Sequence, residues 1–183
     1  ISIRKNKNKI IKVKSSMLCV SGGINPDINL FTQSKGLVKW DDKLLTFKPD
    51  VSFQNTITLG SVSGNYSYEK TNDEIDNKLS FLKVKNVKFN IEINDTNNFN
   101  IKELWETKHE KKSNWSKSFI DLHNDVTTKD LKQAVKEGFD RIEHLKRFTT
   151  NSMGTDQGKI SSINSLGIVS KILKKKISEV GTT

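Results

Sequence analysis

One cysteine, two prolines and the want of any long apolar run set the first limits on this chain of 183 residues. With Cys19 alone, an internal disulfide and a cysteine-based zinc site are both excluded. Cys19 lies in an apolar stretch, MLCV, and is expected to pack as a small hydrophobe of low reactivity. No run of about eighteen apolar residues occurs, so nothing is read as spanning a membrane. No secretory signal is visible, and the first residue is Ile1. Sequons at Asn65, Asn94 and Asn114 arise readily by chance in an Asn-rich chain, so a reducing compartment is expected. Apolar residues make up only 33% of the chain, which predicts a folded protein with a thin core and mobile ends.

Recognisable chemistry is missing as well. His109, His123 and His144 lack the spacing of metal ligands. Asp121, His123 and Asp125, on alternate residues, form an acidic–imidazole cluster, but no zinc motif accompanies it. Residues 60–64, GSVSG, are not followed by the Lys-Ser/Thr pair or the helix of a phosphate loop, and a hairpin turn is the better reading. No serine sits in a nucleophile elbow. The expectation is a protein without catalytic residues, cofactor or metal.

What is present is organised around residues 79–93, LSFLKVKNVKFNIEI. Val87, Phe89, Ile91 and Ile93 alternate with polar Lys88, Asn90 and Glu92, the period of a half-buried strand. Before it come short strand signals and turns: Ile11 and Val13, then 37–40, the Asp41-Asp42 turn and 44–47. Val51, Phe53, Ile57 and Leu59 follow, then Tyr66 and Tyr68. Residues 28–31 read as a short strand or a loop, and residues 71–77 as an exposed acidic loop. With no helix between these strands, parallel βαβ units are disfavoured, and an α+β protein is predicted, with an antiparallel sheet or sandwich core followed by a helical C-terminal region.

Helical spacing begins at Ile101, Leu104 and Trp105 and resumes at Trp115, Phe119 and Leu122. A second helix is capped by Thr127 or Thr128, with Asp130 in its first turn, and carries the stripe Leu131, Ala134, Val135, Ile142 and Leu145. Residues 149–159 read as a linker, and Ile163, Val169, Ile172, Leu173, Ile177 and Val180 mark a last amphipathic helix. The predicted divisions are a basic arm (1–9), a β core (10–95), a helical region (96–150), a linker (151–159) and a basic helix (160–183).

Charge gives the functional expectation. Lys and Arg total 31 against 21 Asp and Glu, a net charge of +10. Arg4, Lys5, Lys7, Lys9, Lys12 and Lys14 fall in the first fourteen residues with no acid among them. Lys171, Lys174, Lys175 and Lys176 form a second cluster. Such ends attract polyanions, either nucleic acid or nucleoprotein, or an anionic membrane surface. Trp40, Tyr66 and Tyr68 offer stacking faces for bases, although aromatics in strands more often serve as core or rim.

Residues 87–105, VKFNIEINDTNNFNIKELW, together with the basic arm, resemble the matrix proteins of rhabdoviruses, which have a lysine-rich start, a small twisted sheet and a Trp-containing helical segment after a late strand. The resemblance implies a non-enzymatic virion protein that self-associates and bridges nucleocapsid and membrane, and it carries over only the arm, Arg4 to Lys14. No PPxY motif is present, because the prolines are Pro26 and Pro49. Residues 44–50 with Gly60 are also similar to viral movement proteins with a jelly-roll-like core. The alternatives to a matrix-like role are thus a movement or nucleocapsid protein that binds nucleic acid, or a structural subunit with acidic neighbours in a large assembly.

Overall fold

A computed structural model describes residues 2–5, 9–19, 23–82, 101–107 and 117–181. Residues 87–93, the alternating stretch that anchored the strand reading, lie outside them, as do Lys7, His109 and Trp115.

The described strands pair only in twos. β1 (Ser2–Lys5) pairs with β2 (Lys9–Lys12), β3 (Leu37–Asp41) with β4 (Thr46–Val51), and β5 (Phe119–Asp121) with β6 (Val126–Thr127), all antiparallel. The mixed α and β character expected from the sequence is present. A sandwich is not: among the described residues each sheet has two strands, and helices cover the core instead.

The β3–β4 hairpin forms where the Asp41-Asp42 turn was predicted. Asp41 Oδ1 accepts from the N–H groups of Lys43 (2.9 Å) and Leu44 (3.1 Å), and its Oδ2 meets Lys48 Nζ at 2.5 Å. Side chain and turn thus close on each other, as short polar side chains do at turns. Trp40 stands opposite Phe47, and their rings meet edge to face at 5.0 Å.

Residues read as strand or loop become helical in two places. Residues 28–31 enter α1 (Asn29–Gln33), which buries Phe31. Tyr68 and residues 71–77 form α2 (Tyr68–Lys78). No apolar stripe announces α2; local polar contacts hold it. Ser67 Oγ accepts from the N–H of Lys70, and Glu74 reaches both Gly60 N–H (2.9 Å) and Lys78.

The C-terminal part holds the core. α3 (Thr128–Lys136) starts at Thr127, whose N–H and hydroxyl both donate to Asp130 Oδ2 at 2.7 Å. The stripe expected on one helix is divided between α3 and α4 (Ile142–Thr149), because Gly138 turns the chain at φ +97°. The expected terminal helix also divides, into α5 (Ser162–Leu173) and α6 (Ile177–Val180), with Lys174 left-handed between them. Leu131, Leu145 and Val169 are fully buried, and Phe47 of the hairpin joins the same cluster.

Residues 101–107 are irregular rather than helical. They cross α5 as a strap. The Trp105 ring occupies the space where any side chain at Gly167 would stand. Glu103 pairs with Lys171 at 3.4 Å, and Glu106 with Lys132 at 3.4 Å. Cys19 is exposed, not packed as expected. Among the described residues, no helix is long and apolar enough to cross a membrane.

Candidate functional site

Two features meet on one side of α5: a buried polar network and an open cleft. The network starts at Asp121, the last residue of β5 and only 2% exposed. Its Oδ1 accepts from the N–H groups of His123 (2.8 Å) and Asn124 (3.1 Å). Its Oδ2 accepts from the N–H of Ser152 at 2.7 Å and from Asn124 Nδ2 at 3.3 Å. Burial alone would push this carboxyl up, but the donors from Ser152, Asn124 and His123 outweigh it and hold the group below the usual carboxylate range.

Beyond Ser152 the network continues inward. Asn151 Nδ2 donates to Ser152 Oγ (3.0 Å) and Ser165 Oγ (2.8 Å), and the hydroxyls of Ser152 and Ser161 meet at 2.8 Å. The bonds pin a loop that the sequence presented as a structureless linker. Thr150, Ser152 and Gln157 all have positive φ there, a conformation costly to non-glycine residues and sustained by surrounding contacts. Gly158, also at positive φ, leaves room for Ser152 and Ser162, which a side chain there would strike.

The cleft has a volume of about 430 Å³. One wall is residues 25–29 with Thr32, another is Val38, Thr46 and Phe47 of the hairpin, and the third is residues 157–159 with Ser162, Ile163 and Leu166. Its lining combines apolar side chains (Ile28, Val38, Phe47, Leu166) with polar ones (Thr46, Lys159, Ser162), the common make-up of a small-molecule site. At the rim Lys159 Nζ stands 3.7 Å from Asp27 Oδ2, both side chains largely exposed.

The sequence-predicted site residues do not converge on either feature. Arg4, Lys5, Lys9 and Lys12 belong to the β1–β2 hairpin, and Lys14 follows in an exposed irregular stretch. Lys171 pairs with Glu103, and Lys175 with Asp140 at 3.5 Å. Lys174 forms the C-cap of α5, and the Lys176 N–H donates to Glu179 at 3.0 Å. Much of the second cluster therefore serves helix ends and ion pairs on the surface. Of the acidic–imidazole cluster, Asp121 binds the backbone of His123 rather than its ring, and Asp125 sits at positive φ. Among the described residues, no group of three side chains could hold a metal ion. The helix expected to be missing after residues 60–64 is present as α2, four residues on. Sequence reasoning does not find Thr46, Asn151, Ser152 or Lys159; the run of serines, Asn and Gly in 151–165 is a signal for Asn151 and Ser152 alone, and without periodicity its first part reads as a linker.

Comparison with known proteins places the chain elsewhere than among viruses. Residues 115–183 match the family described as the sarcosine oxidase A3 domain. Over 180 residues, 94% of the chain, it is 26% identical to sarcosine oxidase subunit alpha of Corynebacterium sp. (strain P-1). The same subunit of Rhizobium meliloti (strain 1021) is 48% identical over 67 residues, 37% of the chain. The chain spans about a fifth of the length of the Corynebacterium protein, and 7% of the Rhizobium one. Its fold is similar to that of L-proline dehydrogenase from P. horikoshii, with a TM-score of 0.55 and 19% identity over the whole chain and 38% of that structure.

These likenesses overturn several expectations together. The rhabdovirus-matrix resemblance, the movement and nucleocapsid readings, the virion setting, the polyanion partners and the expectation of a non-enzymatic protein all give way to similarity with subunits of oxidising enzymes. The misreading has a physical source. A basic end and an alternating apolar stretch are demanded by solubility and by half-buried strands in any fold, so they carry little information about ancestry.

Proposed function

We propose that this chain is a segment of a sarcosine oxidase alpha-type subunit and takes part, with the rest of that subunit and its companion subunits, in oxidising sarcosine. The observation that carries this reading is similarity along nearly the whole chain to the alpha subunit of Corynebacterium sp.. The match to the A3 family supports it and includes the Asp121–Ser152 network and the α5 wall of the cleft.

Oxidation of an amino acid at its C–N bond withdraws two electrons and a proton. Serine, asparagine, aspartate and lysine bind, orient and move protons, but they do not accept electron pairs. The segment's own part is therefore to present a rigid wall and a cleft of mixed polar and apolar lining within a larger enzyme. The pinned loop 150–158 keeps that wall in one geometry.

The test is to produce the complete subunit with its companions and measure oxygen uptake or dye reduction with sarcosine and, in parallel, with L-proline. Turnover of sarcosine in preference to L-proline is expected. An assembled complex that oxidises L-proline alone, or neither compound, overturns the reading.

A further inference from the structure

We propose that the cleft between residues 25–32, the β3–β4 hairpin and the start of α5 binds a small organic anion with an apolar body, the anionic group held by Lys159 and the first turn of α5. The inference rests on the geometry of the cleft and not on the oxidation reading.

Four observations support it. Thr46 lines the cleft and is only 2% exposed, yet among the described residues its hydroxyl has no hydrogen-bond partner. That oxygen is not among the sealed, unsatisfied atoms, so it keeps some accessible surface. An accessible hydroxyl with no partner in the protein is free to bond a ligand or water. The second observation is the helix itself. α5 has twelve residues, and Ser162 and Ile163 of its first turn line the cleft. Ser161 gives no side-chain cap because its hydroxyl meets Ser152, and the Ser162 N–H donates to the Gly158 carbonyl at 2.9 Å, so Ile163 is the first cleft-lining residue of the turn whose N–H has no acceptor among the described residues.

Third, Lys159 stands at the rim with Asp27 at 3.7 Å, beyond hydrogen-bond reach. A pair so exposed contributes little and is readily exchanged for a better anion. Asp27 has already committed Oδ1 to Asn29 Nδ2 at 2.7 Å. Asp156, the other acid on this turn, accepts from the N–H groups of Gly158 (3.2 Å) and Ile160 (3.1 Å) and is occupied by its own backbone. Fourth, Ile28, Val38, Phe47 and Leu166 form an apolar wall beside these polar groups, and about 430 Å³ is more than a bare phosphate or acetate fills.

The experiment titrates the full 183-residue chain with phenyl phosphate, benzoate and inorganic phosphate, followed by calorimetry. Saturable binding of at least one aromatic anion is expected, about tenfold tighter than inorganic phosphate; the stronger of the two tells phosphate from carboxylate recognition. Lys159→Gln is expected to weaken that binding about fivefold or more. Thr46→Val is expected to weaken it severalfold, and Thr46→Ser to restore it with an unchanged melting temperature. Asp27→Asn removes the competing acid and is expected to tighten it. The proposal is overturned by failure to saturate at about 10 mM of either aromatic anion, by affinities indifferent to Lys159→Gln and Thr46→Val, or by weaker binding in Asp27→Asn. Because no turnover is measured, failure here is distinct from failure of the sarcosine assay.

Discussion

Asp121 ties two distant parts of the chain together through one side chain. Its carboxylate closes its own turn and, across 31 positions, fixes Ser152. Asp121→Ala leaves the buried Ser152 N–H and the part-buried N–H groups of His123 and Asn124 unpaired and is expected to destabilise the chain by about 2–3 kcal/mol, read from urea unfolding. The pH dependence follows from the direction of its titration. The folded carboxyl lies below its ordinary value of 3.8, so the unfolded chain takes up the proton first on acidification. Its stabilisation is complete above that range and is lost as pH falls through the folded value. Asp41 behaves alike: burial pushes it up, but Lys48 and the N–H groups of Leu44 and Lys43 hold it low. Stability measured from pH 6 to pH 2 is thus expected to fall mainly below about 4, and Asp121→Asn should flatten that slope.

At the scale of the element, the helices differ in what holds them. α3 and α4 are secured by a buried stripe, whereas α2 has no buried residue and depends on its cap and the Glu74 contacts. Ser67→Ala is expected to cost about 1 kcal/mol and to speed amide hydrogen exchange in α2 while leaving α3 unaffected. A uniform loss of protection in both helices would contradict that. α5 carries a different constraint at Gly167. Gly167→Ala drives a methyl into the Trp105 ring and is expected to cost about 2 kcal/mol, with a red-shifted tryptophan emission as the strap lifts.

On the scale of the molecule, the hairpin and the helical part share one core through Phe47, which packs with Leu166 and its neighbours. Phe47→Ala is expected to lower stability by about 3–4 kcal/mol and to widen the cleft that Phe47 lines. The ion pairs among the described residues, from Lys39–Asp50 to Lys175–Asp140, are all at least partly solvated. Raising salt to about 0.5 M should therefore change unfolding free energy by less than about 1 kcal/mol.

Local chemistry in the amino-acid order determined the β3–β4 turn, through Asp41 and its near neighbours, and the start of α3, through Thr127 and Asp130. It also determined which residues of 131–145 face inward, because a repeating apolar stripe is encoded within a few turns of chain. Only the tertiary structure decided that Asp121 should meet Ser152, that Trp105 should lie on Gly167, and that Thr46 and Lys159 should border one cleft. Those partners are distant in sequence and are brought together by burial of a common core, which is sensitive to area and shape but leaves no periodic trace in the chain. The polar loop 150–158 shows the difference plainly: its composition is that of a linker, and its conformation is set by a carboxylate from another strand.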